Sequence, residues 1–194
     1  MREEFVKYLQ KSGVAQKPEV AEAFKEINRE DFMLEGEPEA DMPFLIPGGQ
    51  TISQPYTVAF MLDRLDVKPG MKILDVGSGS GWTTALLAHM LGERGEVIGI
   101  EILDELVEFG SKNLNKYDFE NAEIRKAKKD TYGLPEKAPY DRILVSAAAT
   151  SVPQTLKDQL SNEGVMIIPV NNSIQRITKT NQEIWRGFSF VPLK

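Results

Sequence analysis

The residues of this chain best suited to chemistry begin at Leu74-Asp75-Val76-Gly77-Ser78-Gly79-Ser80-Gly81-Trp82. This stretch follows an apolar run that reads as a buried strand, and it opens a helical pattern. Glycines at such a turn let a ligand approach the backbone closely, and the helix start offers free N–H groups. Nucleotide and dinucleotide sites share loops of this kind, so the glycines alone do not choose a ligand. Two acids narrow the choice. Asp75 stands just before the first glycine, where its charge opposes a pyrophosphate and suits an α-ammonium group. Glu101 ends the next apolar run, where a carboxylate accepts both hydroxyls of a ribose. A ligand with a ribose, an ammonium group and no phosphate is S-adenosylmethionine. The alternatives are a dinucleotide, or a tight turn with no ligand. The expected cofactor contacts are Asp75, Gly77, Ser78, Gly79, Gly81, Glu101 and Ile102, and no metal site is expected.

Two further stretches carry candidate chemistry. Upstream lies Gly48-Gly49-Gln50-Thr51-Ile52-Ser53-Gln54-Pro55, a polar loop running into a helix. Pro55 suits a first turn, where its missing N–H costs nothing, and Ser53 is either a helix cap or a functional hydroxyl. Downstream, the apolar run Tyr140–Ser146 ends in Ala147-Ala148-Ala149. Ligands of open α/β sheets bind outside the carboxyl ends of strands, so small residues there leave room for a ligand or for close packing. The lone histidine, His89, falls about two turns into the helix after the glycine loop and reads as a packing or surface residue. Arg125, Lys126, Lys128 and Lys129 form the one basic cluster, read as a solvated strand end.

Positioning these stretches requires alternating elements. Apolar runs predict strands at 71–76, 96–101, 122–126, 140–146 and 165–170. Helical spacing predicts helices at 2–11, 19–28, 55–65, 82–91, 103–116 and 153–160. The alternation implies a mostly parallel sheet covered on both faces. Ser173–Thr180 and Glu183–Phe190 flank Asn181-Gln182 and predict an antiparallel hairpin. Residues 31–50 are rich in Pro, Gly and acid, yet they carry Phe32, Leu34, Phe44 and Ile46. They read as a loop packed on the main body. The fold class expected is α/β, a Rossmann-like methyltransferase fold: a mostly parallel seven-stranded sheet with a C-terminal antiparallel hairpin and an N-terminal helical cover. One domain is expected, with residues 1–55 as cover and 56–194 as the cofactor-binding core.

Composition bounds the rest. A chain of 194 residues that is 41% hydrophobic and 27% charged is an ordinary globular protein. It contains no cysteine, which excludes disulfides, thiolate catalysis and Cys-ligated metals. The net charge of −6 opposes bulk nucleic-acid binding. No apolar run reaches membrane-spanning length, and MREEFVKYLQ is followed by no apolar signal region. The expectation is a cytoplasmic monomer without nucleic-acid or membrane partners.

Together, PFLIPGGQTISQPYTVAFM, ILDVGSGSGWTTALLA, APYDRILVSAAAT and VMIIPV resemble the protein-L-isoaspartate O-methyltransferase family. The resemblance runs from about Ala23 to the C-terminal FVPL, and its specific mark is TISQP joined to DVGSGSG. It implies methyl transfer from S-adenosylmethionine to the free carboxyl of L-isoaspartyl residues in damaged proteins and peptides. Ser53 is then the catalytic residue. Thr51, Ile52, Ser53, Ala147 and Ala148 meet the substrate, and Asp130 meets the adenine amino group. The chain departs from the family pattern at Pro47-Gly48, at Ala127-Lys128-Lys129-Asp130-Thr131 in place of Gly-Asp-Gly, and at Asn171 in place of glycine. The alternatives are a related methyltransferase acting on a specific peptide, RNA or small molecule, and a binding module that keeps the fold without catalysis.

Overall fold

Apolar positions at helical spacing fold Glu3–Lys11 (α1) and Pro18–Glu26 (α2) into short helices that bury Val6, Leu9, Val20 and Phe24. The computed structural model describes residues 3–129 and 131–193. Within the expected loop 31–50, Phe44–Ile46 (β1) pairs antiparallel with Gln50–Ile52 (β2). The loop reading is corrected there, because Gly48 and Gly49 turn the chain at φ 69° and 64°, which glycine adopts without strain. Pro55–Leu65 (α3) follows directly.

The main sheet is built from Lys72–Val76 (β3), Glu96–Glu101 (β4), Ala122–Lys126 (β5), Tyr140–Val145 (β6), Leu160–Val170 (β7), Ser173–Ile177 (β8) and Gln182–Arg186 (β9). Their order is β5-β4-β3-β6-β7-β8-β9, parallel from β5 to β7 and antiparallel from β7 to β9. The chain enters at central β3, winds outward to β5, then returns to β6 on the other side of β3. That reversal opens a crevice at the carboxyl ends of β3 and β6. Trp82–Leu91 (α4) and Asp104–Leu114 (α5) cross over between β3, β4 and β5.

Alternate strand residues face opposite ways, so Ile73, Val97, Leu144 and Ile167 join one core and Leu74, Ile98, Ile143 and Met166 the other. The first core is roofed by all the helices from α1 to α5. The second is covered by Gln154–Asp158 (α6) and by irregular chain around Leu134. Both faces are covered, but unequally. The β5–β6 connection carries Gly133, Pro135 and Pro139, which interrupt a helix.

Several boundaries differ from the sequence reading, most at α6, β7 and β9. Helix α6 stops at Asp158, and β7 starts at Leu160, where Tyr140 N–H reaches the Gln159 carbonyl at 2.8 Å. Strand β9 ends at Arg186, and Gly187 at φ 96° turns the tail out of the sheet. The tail then runs back to Ala148, whose N–H donates to the Val191 carbonyl at 2.8 Å and whose carbonyl accepts from Leu193 N–H at 2.9 Å. Asn171 holds φ 51° at the β7–β8 turn, a conformation asparagine tolerates better than most residues.

Candidate active site

The glycine loop spans the carboxyl end of β3 and the start of α4. Gly77 and Ser78 donate to the Ile100 carbonyl at 2.9 and 3.1 Å, which pins the loop to β4. Gly77, Gly79 and Gly81 all lie at positive φ. The loop also needs a neighbour that sequence reading missed. A Cβ on Gly110 of α5 would stand 2.7 Å from the Gly79 carbonyl oxygen, so only glycine lets α5 pack this closely. Asn113 of α5, itself buried, donates to the Ser80 carbonyl at 3.2 Å.

Glu101 closes one wall. Its Oε2 accepts from Gly79 N–H at 3.1 Å, and its Oε1 accepts from Ile102 and Leu103 N–H at 2.6 and 3.1 Å. A cleft of about 740 Å³, counting its open mouth, spreads over Gly77, Gly79, Glu101, Ile102, Ser146 and Ala147. Ile46 and Gln50 of the small hairpin close it on one side, and Val191, Pro192 and Leu193 of the tail on another. The tail residues have no local sequence signal, because only the return of the chain to Ala148 brings them there.

Asp75 lies beneath the loop and does not line the cleft. It is fully buried, and its Oδ2 accepts from the Thr83 and Thr84 hydroxyls, each at 2.7 Å. Burial pushes its carboxyl up to about 6, with the nearby Glu101 charge pushing the same way and the two threonine hydroxyls opposing. Its Oδ1 has no protein partner.

A second, smaller cavity of about 320 Å³ adjoins the cleft. The two share Thr51, Gly77, Gly79 and Ser146, and the smaller one adds Ile52, Ser53, Ser78 and Trp82. The Ser53 hydroxyl has no hydrogen-bond partner among the described residues, so it is not a helix cap. The Tyr56 N–H at the start of α3 is instead satisfied by Asp41 Oδ1 at 2.8 Å, from a loop distant in sequence. Of the expected substrate residues, Ala148 lines neither cavity and is occupied by the tail. Asp130 lies outside the described residues, while Lys128, Thr131 and Tyr132 line the cleft.

Arg29 is the largest element the sequence reading missed. Fully buried, it donates to the carbonyls of Pro38 and Ala40 at 3.1 Å each, Met42 at 2.8 Å and Ser53 at 3.0 Å. Its guanidinium sits 5.4 Å from the Phe44 ring centroid and 5.3 Å from that of Trp82. Burial lowers it to about 10, so it remains a cation at neutral pH. Of the basic cluster, Arg125 pairs with Glu123, Lys126 with Asp104 and Lys128 with Glu136. His89 is half-buried near the far end of α4 and lines neither the cleft nor the smaller cavity.

Residues 1–193 match the family model described as Protein-L-isoaspartate(D-aspartate) O-methyltransferase (PCMT). A protein-L-isoaspartate O-methyltransferase of Thermococcus onnurineus is 42% identical over 97% of this chain and 90% of its own length. One of Methanopyrus kandleri is 39% identical over 99% of this chain and 90% of its own. A Plasmodium falciparum crystal structure assigned to the same enzyme, in complex with S-adenosyl-L-homocysteine, superposes with a TM-score of 0.88 at 29% identity, covering 99% of this chain and 97% of that one. On its sequence, its fold and the placement of Ser53 beside the glycine-loop cleft, this chain belongs to the protein-L-isoaspartate O-methyltransferase family.

Proposed function

We propose that this chain methylates the free carboxyl of L-isoaspartyl residues in damaged proteins and peptides, with S-adenosylmethionine as donor. The observation that carries the reading is the pair of joined cavities. The larger has the glycine loop and Glu101, and the smaller has a serine hydroxyl with no other task.

The residues fit the donor. Glu101 keeps lone pairs free for ribose hydroxyls beyond its three backbone contacts. Gly77 and Gly79 line the cleft at positive φ and leave the loop backbone open to a ligand. Gly77, Gly79, Glu101, Ile102 and Ser146 would hold the molecule. When bound, it supplies a sulfonium methyl group that a carboxylate oxygen takes while the C–S electron pair stays with sulfur.

The chain's own task is alignment. A carboxylate with an ordinary value of about 3.5–4 is already ionised at neutral pH, so no general base is needed. The lone histidine, on α4 away from both cavities, is not called upon. The Ser53 hydroxyl donates to the incoming carboxylate and fixes its angle, and the walls shared by the two cavities exclude water around it. Such positioning supplies roughly 7–11 kcal/mol. The methyl ester formed is open to the next backbone nitrogen, which closes a succinimide and expels methanol; hydrolysis then returns some normal aspartyl residues.

The test is methyl transfer from labelled S-adenosylmethionine to a matched pair of peptides, one with L-isoaspartate and one with aspartate. Base-labile ester on the isoaspartyl peptide alone is expected. No transfer to either peptide, with cofactor binding intact, refutes the reading and favours a specialised substrate.

A further inference from the structure

A carboxylate has two oxygens, and Ser53 offers one donor. Two more residues that line the same small cavity carry buried donors without partners: Trp82, 2% exposed, with its indole N–H, and Ser78, 4% exposed, with its hydroxyl. Buried polar groups are nearly always paired, and an orphaned one destabilises the fold. A tryptophan that only filled space here would be better replaced by an aromatic without an N–H.

The indole is held in place from two sides. Phe24 meets it edge-on at 5.5 Å, and the Arg29 guanidinium lies 5.3 Å from its centroid. The same guanidinium donates to the Ser53 carbonyl at 3.0 Å. One buried cation therefore sets the backbone that carries the Ser53 hydroxyl and the ring that carries the free N–H. Methyl transfer leaves one carboxylate oxygen free to attack, so the other is the one to be gripped, and N–H and O–H donors grip an anion strongly.

We propose that the Trp82 indole N–H donates to the substrate carboxylate beside the Ser53 hydroxyl, with Ser78 as an auxiliary donor. This rests on the reading of the small cavity as the carboxylate site. Trp82 and Trp185 are the only tryptophans, so a ¹H–¹⁵N spectrum carries two indole signals. Trp185 lines neither cavity, and Trp185→Phe assigns the signals with the site intact.

The protein is loaded first with S-adenosylhomocysteine and then with an L-isoaspartyl peptide. The Trp82 signal is expected to move downfield at the second addition. By calorimetry, Trp82→Phe is expected to bind the peptide about tenfold to a hundredfold more weakly and the nucleoside product as wild type does. Movement at the first addition only places the donor on the cofactor's own carboxylate and overturns the inference. No movement at either addition, with the peptide bound, overturns it as well, and that result does not depend on whether the variant folds. A wild-type complex that binds S-adenosylhomocysteine but no isoaspartyl peptide overturns instead the reading of the site on which the inference rests.

Discussion

Replacing Arg29 by leucine removes the donor of four backbone carbonyls and leaves them facing an apolar side chain. Charge-assisted hydrogen bonds at about 1.5–3 kcal/mol each would sum to about 6–12 kcal/mol. That is a ceiling. Pro38 and Ala40 are half-buried and Met42 is exposed, so water re-enters around three of the carbonyls once the guanidinium is gone. Breaking a buried charged network elsewhere costs about 3–5 kcal/mol, and the same range applies here. At about 2–4 °C per kcal/mol for a chain of this size, Arg29→Leu should lower the melting temperature by about 6–20 °C. Arg29→Lys keeps a cation but has a single nitrogen in place of the planar fork, so about half that loss is expected. The assay is thermal melting by circular dichroism, with urea unfolding beside it. A melting temperature for Arg29→Leu within about 2 °C of wild type would refute the clamp, as would full stability of Arg29→Lys alongside a destabilised leucine variant, because charge alone would then suffice.

Ser53→Ala should lower kcat/KM for an isoaspartyl peptide by about tenfold to a hundredfold, with melting temperature and S-adenosylhomocysteine affinity unchanged, because the hydroxyl bonds nothing among the described residues; a loss of about 1 kcal/mol in stability would restore the helix-cap reading. Gly110→Ala forces a methyl to 2.7 Å from a backbone oxygen of the glycine loop, so calorimetry should show weaker S-adenosylhomocysteine binding together with about 1–3 kcal/mol of destabilisation. The Asp75 carboxyl is raised to about 6 in the fold against about 3.9 unfolded, so the native state holds the extra proton between those values. The stability of the free protein relative to Asp75→Asn should therefore fall by about 2–3 kcal/mol as pH rises from about 4 to about 7, and stay level above. Urea titrations across that range check it, and a flat difference would mean the buried carboxyl is not perturbed.

Much of this molecule is legible without coordinates because its signals are local. Apolar runs such as ILDV and VIGI must be buried strands, the glycines between Asp75 and Trp82 must make a tight turn before a helix, and Glu101 must end the following strand. Each of these follows from neighbours within a few residues. The reading of 31–50 as loop failed because a strand of three residues leaves almost no periodicity, and the hairpin at 44–52 depends on two glycines at positive φ.

What the chain alone determined was the alternation of elements, the glycine loop with its two acids, and Ser53 as a hydroxyl with two possible roles. The contacts between distant segments settled which role is free to it: Asp41, from another loop, satisfies the Tyr56 N–H at the start of α3, and Ser53 lines the smaller cavity. Tertiary structure likewise assembled Arg29, Gly110 and the returning tail around the site. None of these has a local mark, since an arginine among charged residues, a glycine in a helix and a short apolar tail each read as ordinary. Their roles come from contacts between segments far apart in sequence, and hydrophobic burial settles those contacts only when the whole sheet and its helical roof close together.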